Sequence, residues 1–128
     1  MKVLLDTHAA LWWWAGSDSL SPPAREAIAD GANEVWFSAA SGYEIFQKVR
    51  LGRLVLPDEL HDGLVEAVVE EGWRLLPLSV AEAIAAASLD HPHRDPFDRM
   101  LAAQAAAGPL TVASVDPFFR ELEIDVIW

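Results

Sequence analysis

Five short segments of the chain are apolar almost throughout: KVLLD (2–6), EVWFS (34–38), WRLLPL (73–78), LTVAS (110–114) and IDVIW (124–128). Their length and their β-branched or leucine-rich content predict strands. Between them the apolar positions fall into helical periods that open on recognisable start signals. These are Ser21-Pro22-Pro23 before AREAIADG, Ser41 before GYEIFQKVRLG, Pro57-Asp58 before ELHDGLVEAVVEEG, Ser79 before VAEAIAAASL, Asp95-Pro96 before FDRMLAAQAAAG, and Asp116-Pro117 before FFREL. Strands that show no polar face, alternating with helices, predict an α/β protein: a parallel sheet covered on both sides. No repeat, linker or second unit interrupts the pattern, so residues 1–128 are expected to form one domain. In the helix after Asp98, Ala102, Ala103, Ala105, Ala106 and Ala107 leave little side-chain bulk. That helix can lie close to the sheet and hold its first turn in place.

Composition narrows the chemistry. The 128 residues are 52% hydrophobic, enough for one sizeable core and too many for a disordered chain. There is no cysteine, so a disulfide framework and a thiolate zinc site are both excluded. The start MKVLLDTHAALWWWAG resembles a signal peptide only briefly, because Asp6 and His8 interrupt its apolar part. The charge-free stretch Met100 to Val115 is shorter than the ~18 apolar residues a membrane span requires. A soluble, cytoplasmic protein with no membrane partner is expected. Net charge is −11, from 20 acidic residues against 9 Lys plus Arg, which opposes simple electrostatic attraction to nucleic acid. Binding phosphate would need local help. The acids of Leu54 to Trp73 read as a solvated helix face.

In open parallel sheets, ligands bind outside the carboxyl ends of the strands. The apolar segments lead there into acids: VLL into Asp6, VWFS within one turn into Glu44, and TVASV into Asp116, while Asp95 and Asp98 open another helix. Each acid has a structural explanation. Ser41 to Glu44 fits a capping box, Asp95-Pro96 and Asp116-Pro117 fit N-caps with first-turn prolines, Asp6-Thr7 can cap a helix, and Asp98 meets the positive helix end. As a group they are harder to explain as caps alone. Carboxylates crowded on one edge repel, and a cation relieves the repulsion. With oxygen donors the fitting ions are Mg²⁺ or Mn²⁺, and the chemistry that follows is metal-assisted phosphodiester hydrolysis.

The stretches LLDTHAALW, SAASGYEIFQKVRLGRL, HRDPFDRMLAAQA and VASVDPFF occur in order along nearly the whole chain. In them the sequence resembles PIN-domain nucleases, and within these the VapC-type toxins of prokaryotic toxin–antitoxin pairs. HRDPFDRMLAAQA is the most specific of the four. The resemblance implies a small α/β/α sandwich around a central, mainly parallel sheet of about five strands. It also implies Mg²⁺- or Mn²⁺-dependent endoribonuclease activity, with RNA as substrate and silencing by a cognate antitoxin. The family's acidic quartet falls on Asp6, Glu44, Asp98 and Asp116, as catalytic and metal-binding residues, and Asp95 matches its accessory acid, which holds a water ligand or caps the helix. Relatives often carry Thr-Ala-Asp where this chain has Ser114-Val115-Asp116. Ser114 keeps a hydroxyl able to bond a carboxylate or a metal water.

Several other residues have two readings. Thr7 orients a water or phosphate, or caps a helix; Ser41 reads as a cap rather than a ligand. Lys48, one turn after Glu44, is either an exposed ion pair worth ~0.3–0.5 kcal/mol or, with Arg50 and Arg53, an RNA backbone contact. Arg94 and Arg99 flank the acids, to bind phosphate or temper repulsion. His8, His91 and His93 raise the idea of zinc, which a loop with two proline-spaced histidines supports weakly. Consecutive Trp12, Trp13 and Trp14 fan over roughly 200° of a helix, so two are expected inside and the third at a homodimer or antitoxin contact. Two rival functions remain. A phosphoacceptor signalling domain would need a lysine after a late strand, and the only lysines are Lys2 and Lys48. A non-catalytic binding module would have acids that all serve as caps.

Overall fold

A computed structural model describes all residues 1–128. Five strands form one sheet: β1 (Lys2–Leu5), β2 (Glu34–Ser38), β3 (Arg74–Leu76), β4 (Thr111–Ala113) and β5 (Val126–Ile127). Their order is β3-β2-β1-β4-β5, and every pairing is parallel. The apolar character of the strands has the expected cause. Val3 and Leu5 point to one face and Leu4 to the other, and the same split separates Val35 and Phe37 from Trp36 and Ala113 from Val112. Both faces are buried, so neither can be polar.

The first face is covered by α1 (Thr7–Ala15), α2 (Pro22–Ala29), α3 (Ala39–Arg50) and α4 (Asp58–Glu70), which pack Ala9, Ala10, Ala27, Ile28, Ile45 and Val68 on the sheet. The second face carries α5 (Val80–Ser88), α6 (Pro96–Ala107) and the short α7 (Phe118–Glu121). The α/β/α sandwich is therefore as anticipated, with a sheet that is wholly rather than mainly parallel. In α6 five consecutive residues, Leu101 to Ala105, are buried, which is possible because three of them are alanines that let the helix settle onto its neighbours. Gly63, at φ −153° and ψ 49°, kinks α4 inside what the sequence pattern reads as one helix.

Three helix starts follow the side-chain capping signals closely, while α4 and α7 begin at Pro57 and Pro117 without a side-chain cap. Ser21, Ser79 and Asp95 accept hydrogen bonds from first-turn amides of α2, α5 and α6, and Ser79 with Glu82 forms a full capping box. The cap expected at Ser41 is at Ser38. Its Oγ accepts from the Ala40 amide, so α3 starts directly off the end of β2 and Ser41 lies buried inside the helix. No helix is long and apolar enough to cross a membrane.

Candidate active site

The strand order places the chain reversal at β1, whose neighbours β2 and β4 are reached in opposite directions along the sheet. This switch point is where a crevice opens outside the carboxyl ends of parallel strands. Asp6 follows β1 and Asp116 lies three residues beyond β4, while α3, leaving β2, carries Glu44 on its second turn. The first turn of α6 supplies Asp98. All four carboxylates, with Asp95, His93, His8 and Trp12, line one cleft of about 520 Å³. The five acids read from the sequence are thus brought together.

Asp6 is buried to 6% exposure and is the N-cap of α1, accepting from the Ala9 amide at 2.7 Å. Burial is the main cause that pushes its carboxyl above the ordinary range; hydrogen bonds from Ser114 and Ala9 pull the other way, and Glu44 adds repulsion. Thr7 does not cap: its hydroxyl donates to Ser41 Oγ at 3.0 Å, joining α1 to α3 beneath the cleft. Ser114, fully buried, accepts from the Asp116 amide at 3.1 Å, which holds the turn after β4, and its hydroxyl offsets part of the burial effect on Asp6. Asp116 accepts from the Phe118 amide at 2.9 Å, and Asp95 accepts from Phe97 at 2.9 Å. The Asp95 bond is the cap expected of it, whereas α7 has Pro117 as its N-cap and Asp116 reaches the Phe118 amide from one residue before it.

Glu44 and Asp98 cap nothing. Glu44, 5% exposed, accepts from Lys48 Nζ at 2.9 Å. Asp98 shares a 2.9 Å hydrogen bond between its Oδ2 and His93 Nε2. Its carboxyl is pushed up to about 6, first by burial and then by the charges of Asp95 and Asp116, against the opposing His93 bond. His93, Asp98 and Asp116 can each direct one ligand atom so that all lie within 4.8 Å. Carboxylate oxygens in a cleft where desolvation and mutual repulsion oppose ionisation fit a hard divalent cation, and the His93 imidazole, bonded to Asp98, sits beside them. A four-ligand zinc site from His8, His91 and His93 is not formed; His91 Nε2 bonds Glu121 at 2.7 Å instead.

His93 is the site residue that sequence reasoning passed over except as a zinc candidate. Its ring stacks on Phe118 at 4.1 Å and 13°, which aims the imidazole edge at Asp98. The only hint in the chain is its place five residues before Asp98. Among the basic residues, Arg50, Arg53 and Arg94 are exposed, and Arg53 shares an apolar pocket beside the cleft with Lys48, His8 and Trp12. Arg99 departs from its expected role at phosphate or acid. It directs all five N–H donors at main-chain carbonyls of Ala86, Ala87, Leu89, His91 and His93. The three consecutive tryptophans also depart from expectation: each is half-buried with an aromatic partner, Trp12 on Trp128, Trp13 on Trp73, and Trp14 on Trp73 and Phe37.

A wholly parallel sheet with carboxylates gathered at its switch point defines an α/β protein with an acidic, cation-type site. The family model of the PIN domain matches residues 3–124, and the chain belongs to the PIN domain family, a family of nucleases. Solved structures with this fold include VapBC2 from Rickettsia felis bound to a DNA fragment from their promoter, with TM-score 0.69, 14% identity, and 98% of this chain and 97% of that one covered. FitAcB from Neisseria gonorrhoeae superposes with TM-score 0.58 at 25% identity, covering 97% of this chain and 95% of its own. FitAB bound to the IR36 DNA fragment gives 0.59 and 21%, with 97% and 92% covered. No curated protein matches the chain.

Proposed function

We propose that the protein is a VapC-type toxin: an endoribonuclease that hydrolyses RNA phosphodiester bonds with Mg²⁺ or Mn²⁺ and is neutralised by a cognate antitoxin. The observation that carries this reading is the convergence of Asp6, Glu44, Asp98 and Asp116 in one cleft. A divalent ion there would polarise the phosphate and favour the hydroxide form of an attacking water. The residues of the chain do the rest. Asp98 Oδ2 is engaged by His93, leaving Oδ1 to hold the ion or orient the water. Asp116 and Asp6 keep one oxygen each on a backbone amide, which fixes the direction of the other. In this reading water is the attacking group and no side chain forms a covalent intermediate. Lys48 and Arg53, in the adjoining pocket, and the exposed Arg50 and Arg94 are the cations offered to RNA phosphates in this reading.

The rival reading, in which the acids only cap helices, accounts for Asp6, Asp95 and Asp116 but not for Glu44 or Asp98. The VapBC2 and FitAB likenesses support an antitoxin partner and, through it, DNA. A homodimer is part of the same proposal, and so is a single-domain chain acting in the cytoplasm.

The test uses purified protein and mixed RNA, with Mn²⁺ or with EDTA, alongside Asp98→Asn and Asp116→Asn. Cleavage should require Mn²⁺ and fall at least ~100-fold in both variants, about the effect of losing a key electrostatic group. Their circular dichroism should be unchanged. Cleavage that persists in EDTA and in both variants rules the site out.

A further inference from the structure

The guanidinium of Arg99 is one residue from Asp98, yet it makes no ion pair with any carboxylate. Nε donates to Ala86 O at 2.9 Å, Nη1 to His91 O and His93 O at 3.0 Å each, and Nη2 to Leu89 O at 2.6 Å and Ala87 O at 3.4 Å. Ala86 and Ala87 lie in the last turn of α5, where carbonyls lack intrahelical partners; the other three lie on the chain between α5 and α6. One planar fork thus holds the backbone from the end of α5 to His93. Lysine, with three donors on a single atom, cannot span five carbonyls.

That stretch ends on the imidazole that meets the cleft. His93 is held at three points besides its carbonyl: its amide donates to His91 Nδ1 at 3.0 Å, its ring stacks on Phe118 at 4.1 Å, and its Nε2 lies 2.9 Å from Asp98 Oδ2. We propose that Arg99 is a positioning residue of the acidic site, acting through the backbone it clasps to deliver His93 to Asp98 and so fix that carboxylate for the cation. This inference rests on the nuclease reading of the cleft. Groups that orient a ligating side chain in this way typically alter metal affinity or activity by 10–100-fold when removed.

The test is Mn²⁺ binding to the full chain, read by the electron paramagnetic resonance of free Mn²⁺, for wild type, Arg99→Lys, His93→Ala and the double variant, with thermal melts of each. Arg99→Lys should fold and weaken Mn²⁺ about tenfold. The double variant should bind within about twofold of His93→Ala alone, because Arg99 acts through His93 and the two losses are not independent. A global packing role would instead make them multiply. Arg99→Lys with wild-type affinity, His93→Ala with wild-type affinity, or multiplying losses each overturn the proposal. So does an Arg99→Lys chain that fails to fold, since the guanidinium would then support the whole molecule rather than the loop. A wild type that binds no Mn²⁺ removes the nuclease reading itself; a wild type that binds Mn²⁺ and cleaves RNA beside unaffected variants removes this inference alone.

Discussion

At Asp98 a carboxyl of ordinary pKa 3.8 is pushed up to about 6 by burial and by Asp95 and Asp116. Between these two values the folded protein binds more protons than the unfolded chain, so stability falls as pH rises through the interval. Two pH units correspond to about 3 kcal/mol at most. In EDTA, Asp98→Asn is therefore expected to match wild type at about pH 3, below both values, and to exceed it by up to that amount at pH 7, measured by urea melts. On the proposed function Mn²⁺ would bind the ionised carboxylate, so its addition at pH 7 should stabilise wild type and not Asp98→Asn. Asp6, also raised by burial, gives a parallel case. Asp6→Asn keeps the cap on Ala9 and should raise the metal-free melting temperature while abolishing cleavage. Asp6 was legible in the sequence because it follows an apolar segment at a predictable strand end, and Asp98 because it follows the helix-start signal Asp95-Pro96. His93 and Arg99 were not, because their partners are a ring from α7 and main-chain carbonyls, and residue identity does not encode either.

The elements hold the site through contacts that can be removed one at a time. Gln104 of α6 is 1% exposed; it accepts from the Ser38 hydroxyl and donates to Pro77 O at 3.2 Å, tying α6 to β2 and to the segment after β3. Gln104→Ala leaves buried polar groups unpaired and a cavity, and should cost about 2–4 kcal/mol in denaturant unfolding. Ser79→Ala removes the capping box of α5, on the exposed side, and should cost about 1 kcal/mol with no change in cleavage rate. The inner strands β1 and β4 and their neighbour β2 were readable from runs of apolar residues, since burial on both faces forces that composition, whereas the edge strand β3 exposes Arg74 and Leu75 and was readable from its leucines alone. The start of α3 was less so. Ser38 and Ser41 both satisfy a cap consensus, and the outcome depends on the helix beginning straight off β2, with Ala39 and Ala40 in its first turn.

For the whole molecule, a net charge of −11 means that long-range electrostatics repel RNA. The few cations by the cleft act only at short range. RNA affinity measured by filter binding should consequently rise at least about tenfold on going from EDTA to Mg²⁺, and should decline with Asp98→Asn even in Mg²⁺. An affinity indifferent to the divalent ion would place the RNA somewhere other than the acidic cleft. The tryptophans are distributed just as unevenly. Five of the six, Trp12, Trp13, Trp14, Trp73 and Trp128, gather on the α1–α4 side of the sheet, and Trp36 alone packs on the other. Intrinsic fluorescence is consequently a one-sided witness: it follows the melting of that half of the sandwich, whereas circular dichroism follows helices on both sides, and a gap between the two curves would show the halves parting at different temperatures.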